Sequence, residues 1–86
     1  MELNTYYVYI IECEDQTLYT GISTNPERRL KEHQESKLGA KYTKAHKPVK
    51  IVYLEEFKNR SEASKREYQI KQLNKMQKLK LIQGQS

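Results

Sequence analysis

Four of the chain's seven tyrosines, Tyr6, Tyr7, Tyr9 and Tyr19, lie within TYYVYIIECEDQTLYTGIS, residues 5–23. A phenol can move a proton, but its reference pKa is near 10. It acts as a base near neutral pH only beside positive charge or with another acceptor for its proton. Arg28, Arg29, Lys41 and Lys44 offer such charge. The plain alternative is a β-sheet surface, because strands favour aromatic residues, and Tyr6 and Tyr7 are left to it. Tyr9 and Tyr19 flank a turn, and Gly21 follows the second of them. Arg29 and His33 are four apart and share a face if that stretch is helical. Arginine suits a phosphate because its planar fork presents two donors together; its plain role is an ion pair with Glu32 or Glu35. Arg28, about 100° away around the helix, should meet solvent or the backbone of a nucleic acid. His33 could give a proton, touch a phosphate or simply end a helix.

Two further features carry chemical groups. In a helix over 61–73, Glu67 lies about 70° from the centre of the apolar stripe Ala63, Ile70 and Leu73. Glu62 lies at the opposite edge, so position alone does not choose between them. Glu62 complements the helix dipole, and Glu67 can pair with Lys71. The segment AKYTKAHKP, 40–48, alternates base, aromatic and hydroxyl. Lys41 and Lys44 could grip phosphates and Tyr42 could stack on a base, or the segment is a solvated basic loop. His46 and Tyr53 are read as structural. Cys13 has no evident base partner and no nucleophilic role.

The elements that must position these groups follow from composition. YYVYIIE, 6–12, is strand-like and EDQT is a turn cluster. LYTGI, 18–22, is a second strand, where Gly21 marks a bulge or a close backbone approach. Asn25 caps a helix that Pro26 opens and that runs to about Ser36. Residues 37–48 are irregular. VKIVYLEEF, 49–57, is a third strand. Ser61 caps a helix to about Leu73, and Asn74 with Gln77 forms a capping box opening a last helix, 75–82. The order is β-β-α-β-α-α: a hairpin, a third strand added after a helical crossover, and helices covering the sheet. Tyr9 and Tyr19 share a face only if the hairpin loop has an odd number of residues or a bulge intervenes. A three- or five-residue connection, or a bulge near Gly21, is therefore predicted.

Eighty-six residues suffice for one small domain with one core. The longest apolar or aromatic run, YYVYII, is far shorter than the ~20 residues of a membrane span. Nothing at the N-terminus resembles a signal peptide. One cysteine excludes an intrachain disulfide, and one Cys with two His does not make a structural zinc site. A reducing cytoplasm is the expected compartment. The net charge is +5 and unevenly spread. Residues 1–25 carry four acids and no bases, whereas 58–80 carry eight bases and two acids. That asymmetry suits a polyanion, of which nucleic acid is the commonest.

Taken in order, the motifs resemble a known family. Tyr7-Val8-Tyr9 followed by Tyr19-Thr20-Gly21 resembles the paired signature of the GIY-YIG nucleases, with Tyr7 where the name has glycine. PERRLKEH resembles that family's helix, with Arg29 in the place of its arginine and His33 in that of a frequent histidine. SEASKREYQIKQL resembles its glutamate helix, with Glu67 at the glutamate position. AKYTKAHKPVKIVYLEEF is shared with the short standalone bacterial members, the YhbQ-type group. The likeness spans about residues 6–82 of one domain, 1–86. It implies an α+β fold, a three-stranded antiparallel sheet flanked by helices. It also implies hydrolysis of DNA phosphodiester bonds with a divalent metal, Mg²⁺ or Mn²⁺, on structured DNA in repair or recombination. By the resemblance Tyr9 comes before Tyr19 as the base, with Tyr19 a supporting hydroxyl and the choice between the two left open, Arg29 and His33 are catalytic, and Glu67 is the metal ligand. A lone carboxylate holds such a metal weakly without DNA. No appended DNA-binding domain of the kind many relatives carry is expected, so target choice would come from a protein partner. Two other readings stay open: a nucleic-acid-binding module on the same fold without catalysis, and a lysine-rich interaction protein whose tyrosines are only sheet.

Overall fold

The computed structural model of the chain describes residues 5–35 and 47–84. The elements are β1 (Tyr6–Cys13), β2 (Leu18–Ser23), α1 (Pro26–Glu35), β3 (Pro48–Phe57), α2 (Arg60–Lys71) and α3 (Lys75–Gln83). The strands form one antiparallel sheet in the order β2-β1-β3. The fold is therefore the expected α+β arrangement, with the third strand added on the far side of β1.

β1 is central and buried on both faces, which is why YYVYII does not alternate apolar with polar. Side chains alternate across a strand. Tyr9, Ile11 and Cys13 pack toward α1 with Leu30 and Ile51. Val8 and Ile10 pack on the other face with Tyr53, with Ala63 and Ile70 of α2, and with Leu81 and Ile82 of α3. Ile51 and Tyr53 have the same parity yet enter opposite cores. The register of β3 on β1 slips between Ile10 and Ile11, so Val52 is an extra residue that re-phases the strand.

The hairpin loop has three residues, as parity requires. The Gln16 N–H donates to the Cys13 carbonyl at 2.9 Å, and the Cys13 N–H to the Thr17 carbonyl at 2.9 Å. Gln16 has φ 68°, the left-handed residue that closes a three-residue loop after a tight turn. The β1–β2 register then runs without a slip, placing Tyr9 opposite Gly21 and Tyr19 opposite Ile11. Tyr9 and Tyr19 share the α1 face, and no bulge at Gly21 is needed.

Each helix opens on an asparagine. The Arg28 N–H donates to Asn25 Oδ1 at 3.1 Å. In α2 the cap is Asn59, not Ser61: the Glu62 N–H donates to Asn59 Oδ1 at 2.9 Å. Asn and Ser are equally good caps, and β3 ends at Phe57, so the first competent cap after the strand starts the helix. α2 stops at Lys71, two residues short of expectation, because Asn74 must leave the helical path to cap α3. Its capping box is formed: the Gln77 N–H donates to Asn74 Oδ1 at 2.8 Å, and the Asn74 N–H to Gln77 Oε1 at 2.9 Å.

Candidate active site

Gly21 holds the key spatial constraint. A Cβ built on it would lie 2.6 Å from the Tyr9 hydroxyl oxygen and 2.8 Å from its Cζ. The Tyr9 side chain therefore crosses the strand where Gly21 has nothing, and it is 1% exposed. Groups from three other elements act electrostatically on its hydroxyl. Burial, then Tyr19, pushes its pKa up to about 12; the Arg29 charge and a hydrogen bond from Arg29 pull it down; Glu67 pushes it up again. Near neutral pH the Tyr9 oxygen keeps its proton and accepts from Arg29.

Arg29 also takes its plain role, with Nη1 3.5 Å from Glu32 Oε1. One turn on, His33 is 6% exposed. Its ring meets Tyr19 edge-on, centroids 5.5 Å apart and planes at 70°. Neither imidazole nitrogen has a hydrogen-bond partner among the described residues. Burial and the Arg29 charge hold its pKa below the ordinary value, against an opposing pull from Glu32. His33 is thus a neutral imidazole with unused proton capacity, packed on the less buried of the two tyrosines. Cys13 is buried, and burial pushes its thiol pKa up, which suits no nucleophile.

Glu67 acts electrostatically on Tyr9 because of how α2 is turned. Arg66 faces β3: its Nε donates to Glu55 Oε1 at 2.9 Å, and the Tyr53 hydroxyl donates to the same oxygen at 2.9 Å. With Ala63 and Ile70 buried on the sheet, the next residue, about 100° round, faces β2. Arg60, Ser64, Glu67 and Lys71 share that side, while Glu62 lies on the β3 side. Glu67 also makes its plain pair, with Lys71 Nζ at 3.1 Å.

Arg28 is exposed and pairs with Glu32 at 3.8 Å. Together with Arg29, Ser23, Thr24 and Arg60 it lines a cleft of about 320 Å³ at the end of β2. Arg60 escaped the sequence reading, which began the helix after Ser61; with Asn59 as the cap it is the first residue of α2, where the dipole disfavours a cation. Lys41, Tyr42 and Lys44, with His46, lie outside the described residues. Tyr53 is buried in the α2-side core, with its hydroxyl donating to Glu55. Among the described residues no three His, Cys, Asp or Glu side chains cluster as a metal site. Glu67 by itself fits the way Mg²⁺ is usually held, by one or two carboxylates with water and substrate phosphate completing the shell.

Residues 5–80 match the family described as "GIY-YIG catalytic domain". The chain is 54% identical over 79 residues to the UPF0213 protein DP2720 of Desulfotalea psychrophila, covering 92% of this chain and 72% of that one. Among solved structures it is similar to the UPF0213 protein BH0048 from Bacillus halodurans, with TM-score 0.58 and 40% identity over 92% of this chain and 83% of that one. It is likewise similar to the protein EF2693 from E. faecalis, with TM-score 0.64 and 40% identity over 98% and 90%.

Proposed function

The chain belongs to the GIY-YIG catalytic-domain family of nucleases, and from that premise we propose that it is a metal-dependent endonuclease that hydrolyses DNA phosphodiester bonds, acting on structured DNA of the kind met in repair and recombination. One observation carries the reading: Tyr19, Arg29 and Glu67, from three other elements, act electrostatically on the single buried hydroxyl of Tyr9. Strand tyrosines with no further task would not need an arginine and a glutamate brought to them.

In this reading Arg29 binds the scissile phosphate and offsets its charge. Tyr9 keeps its proton and donates it in a hydrogen bond to a phosphoryl oxygen. This changes the division of labour that the resemblance implies, because a hydroxyl raised to about 12 is a poor base. Tyr19, less buried, takes the proton of the attacking water as its own phenolic proton passes to another acceptor; His33 packs edge-on against its ring and holds no hydrogen bond to it. Glu67 would hold a divalent cation, which supplies charge neutralisation for the phosphoryl group and the leaving oxygen.

The test is a cleavage panel of linear, single-stranded, flapped and four-way DNA with Mg²⁺ or Mn²⁺. Glu67→Ala and Arg29→Ala should each lower the nicking rate by about 10²-fold or more with unchanged circular dichroism. Tyr19→Phe should cost about 10²–10⁴-fold and remove the dependence on a base. Salt-sensitive binding with no cleavage on any substrate would point to the binding-module reading instead. The Glu67–Lys71 pair is the one observation on that side, since it already engages the carboxylate.

A further inference from the structure

Glu67 is the last carboxylate in the sequence; after it come Lys71, Lys75, Lys78 and Lys80 with no acidic residue. Two of these lysines sit at a particular place. Lys75 and Lys78 of α3 line a cleft of about 240 Å³ with Thr17 and Leu18, at the start of β2. Arg28, Arg29 and Arg60 line the cleft at the other end of the same strand, beside Ile22 and Ser23. Glu67 lies between, on the side of α2 that carries Arg60 toward one cleft and Lys71 toward the other. Leu18 to Ile22 spans about 13 Å of strand, which equals about four base-pair rises along the axis of a B-form duplex.

The lysines at the far end have features of an anion site. Among the described residues neither Lys75 nor Lys78 has a carboxylate within ion-pair distance. Lys78 is half-buried, and burial together with the Lys71 ammonium holds its pKa down. Lys75, like Arg60, is the first residue of its helix after an asparagine cap, where a cation opposes the helix dipole. Both charges are placed against local preference, and both flank β2. A phosphate would relieve each.

We propose that Lys75 and Lys78 form a second phosphate-binding subsite, so that one DNA strand runs along the edge of β2, held by Arg28 and Arg60 at one end and by these lysines at the other, with Glu67 midway. This rests on the reading that DNA passes the Tyr9–Glu67 cluster, and it adds a direction and a footprint to that passage. Lys80 supplies the control, because it lines a different cleft with Tyr53, Leu81 and Gly84.

Fluorescence anisotropy of labelled single- and double-stranded DNA, without divalent metal, gives the slope of log K against log salt. The double variant Lys75→Gln/Lys78→Gln should lower the magnitude of that slope by about 1–1.5 on single strands and weaken binding severalfold at low salt. Lys80→Gln should leave the slope unchanged, and circular dichroism should match the parent in both. If cleavage is observed, the double variant should raise KM severalfold and leave kcat within about twofold. Loss of slope in the double variant with no cleavage by the parent chain would support the track while removing the nuclease reading. Cleavage abolished by Glu67→Ala, with slope and KM untouched by the double variant, would overturn the track and leave the nuclease reading standing. An equal loss in Lys80→Gln would also overturn it, since net charge alone would then explain the binding.

Discussion

At the scale of single residues, Gly21 and Tyr9 behave as one unit. Both are buried, they face each other across β1 and β2, and the phenol occupies the volume a Cβ would need. Gly21→Ala therefore cannot be absorbed by a flexible side-chain end; the Tyr9 ring must move. The expected cost is about 1–3 kcal/mol in a urea melt, the usual penalty of overpacking. A shift of about 1 Å in the hydroxyl should also cost about 10²-fold in cleavage rate. The Gly21→Ala/Tyr9→Phe double variant tests the cause. Removing the hydroxyl relieves the shorter of the two contacts, so the double variant should recover part of the lost stability but none of the activity. If Gly21→Ala melts like the parent, the close crossing is not a constraint. The glycine of the tyrosine-threonine-glycine motif is thus explained by space, not by backbone conformation, since it has no positive φ.

At the scale of elements, the site depends on the rotational setting of α2. Ala63 and Ile70 bury one stripe of the helix, but a stripe of two small contacts leaves the helix some freedom to roll. The Arg66–Glu55–Tyr53 group removes that freedom by tying the helix to β3. Glu55 raises the Arg66 pKa first by its hydrogen bond, consistent with an ion pair that is only partly solvated. About a third of each side chain remains exposed, so solvent screens the pair. Arg66→Ala should then cost only about 1 kcal/mol, or roughly 4–8 °C in Tm for a domain of this size. The sharper expectation is functional: cleavage should fall by more than that stability loss accounts for, because Glu67 no longer has a fixed direction. A variant with lowered Tm and full activity would show that burial of Ala63 and Ile70 alone sets the helix.

At the scale of the whole molecule, the two cores lie on opposite faces of a three-stranded sheet, and the candidate site opens at the β2 edge where both helical layers come within reach. Holding a histidine in the α1-side core couples stability to acid. Burial and Arg29 keep the His33 pKa below its ordinary value of 6.5, so as pH falls the unfolded chain takes up this proton before the folded one does. The His33 contribution to stability is therefore complete above the unfolded value and is lost as pH falls from there through the lower folded pKa. Urea midpoints should decline between about pH 7 and pH 5, and His33→Gln should flatten that decline. An identical acid limb in the variant would assign the decline to the carboxylates. Because the same imidazole packs on Tyr19, cleavage should weaken over the same range.

Much of this was legible in the residues. The composition of YYVYIIE marked β1 as a strand, the parity of Tyr9 and Tyr19 called for a three- or five-residue loop or a bulge and the loop has three, and Asn25 and the Asn74–Gln77 pair marked two helix starts. These features are local, set by alternation, turn chemistry and caps acting over a few residues. Other features needed the tertiary structure. Asn59 and Ser61, two residues apart and equally good caps, were separated by where β3 ends. The choice between Glu67 and Glu62 was open because helical spacing fixes angles between residues of one helix but not the absolute phase of that helix on a sheet; Arg66 on Glu55 sets it. Arg60 joined Arg28 and Arg29 only because α1 and α2, on opposite faces of the sheet, both bring their first turns to the end of β2. The protonation of Tyr9 was likewise beyond the sequence, because a hydroxyl's pKa follows its depth and its neighbours, and both are properties of the assembled molecule.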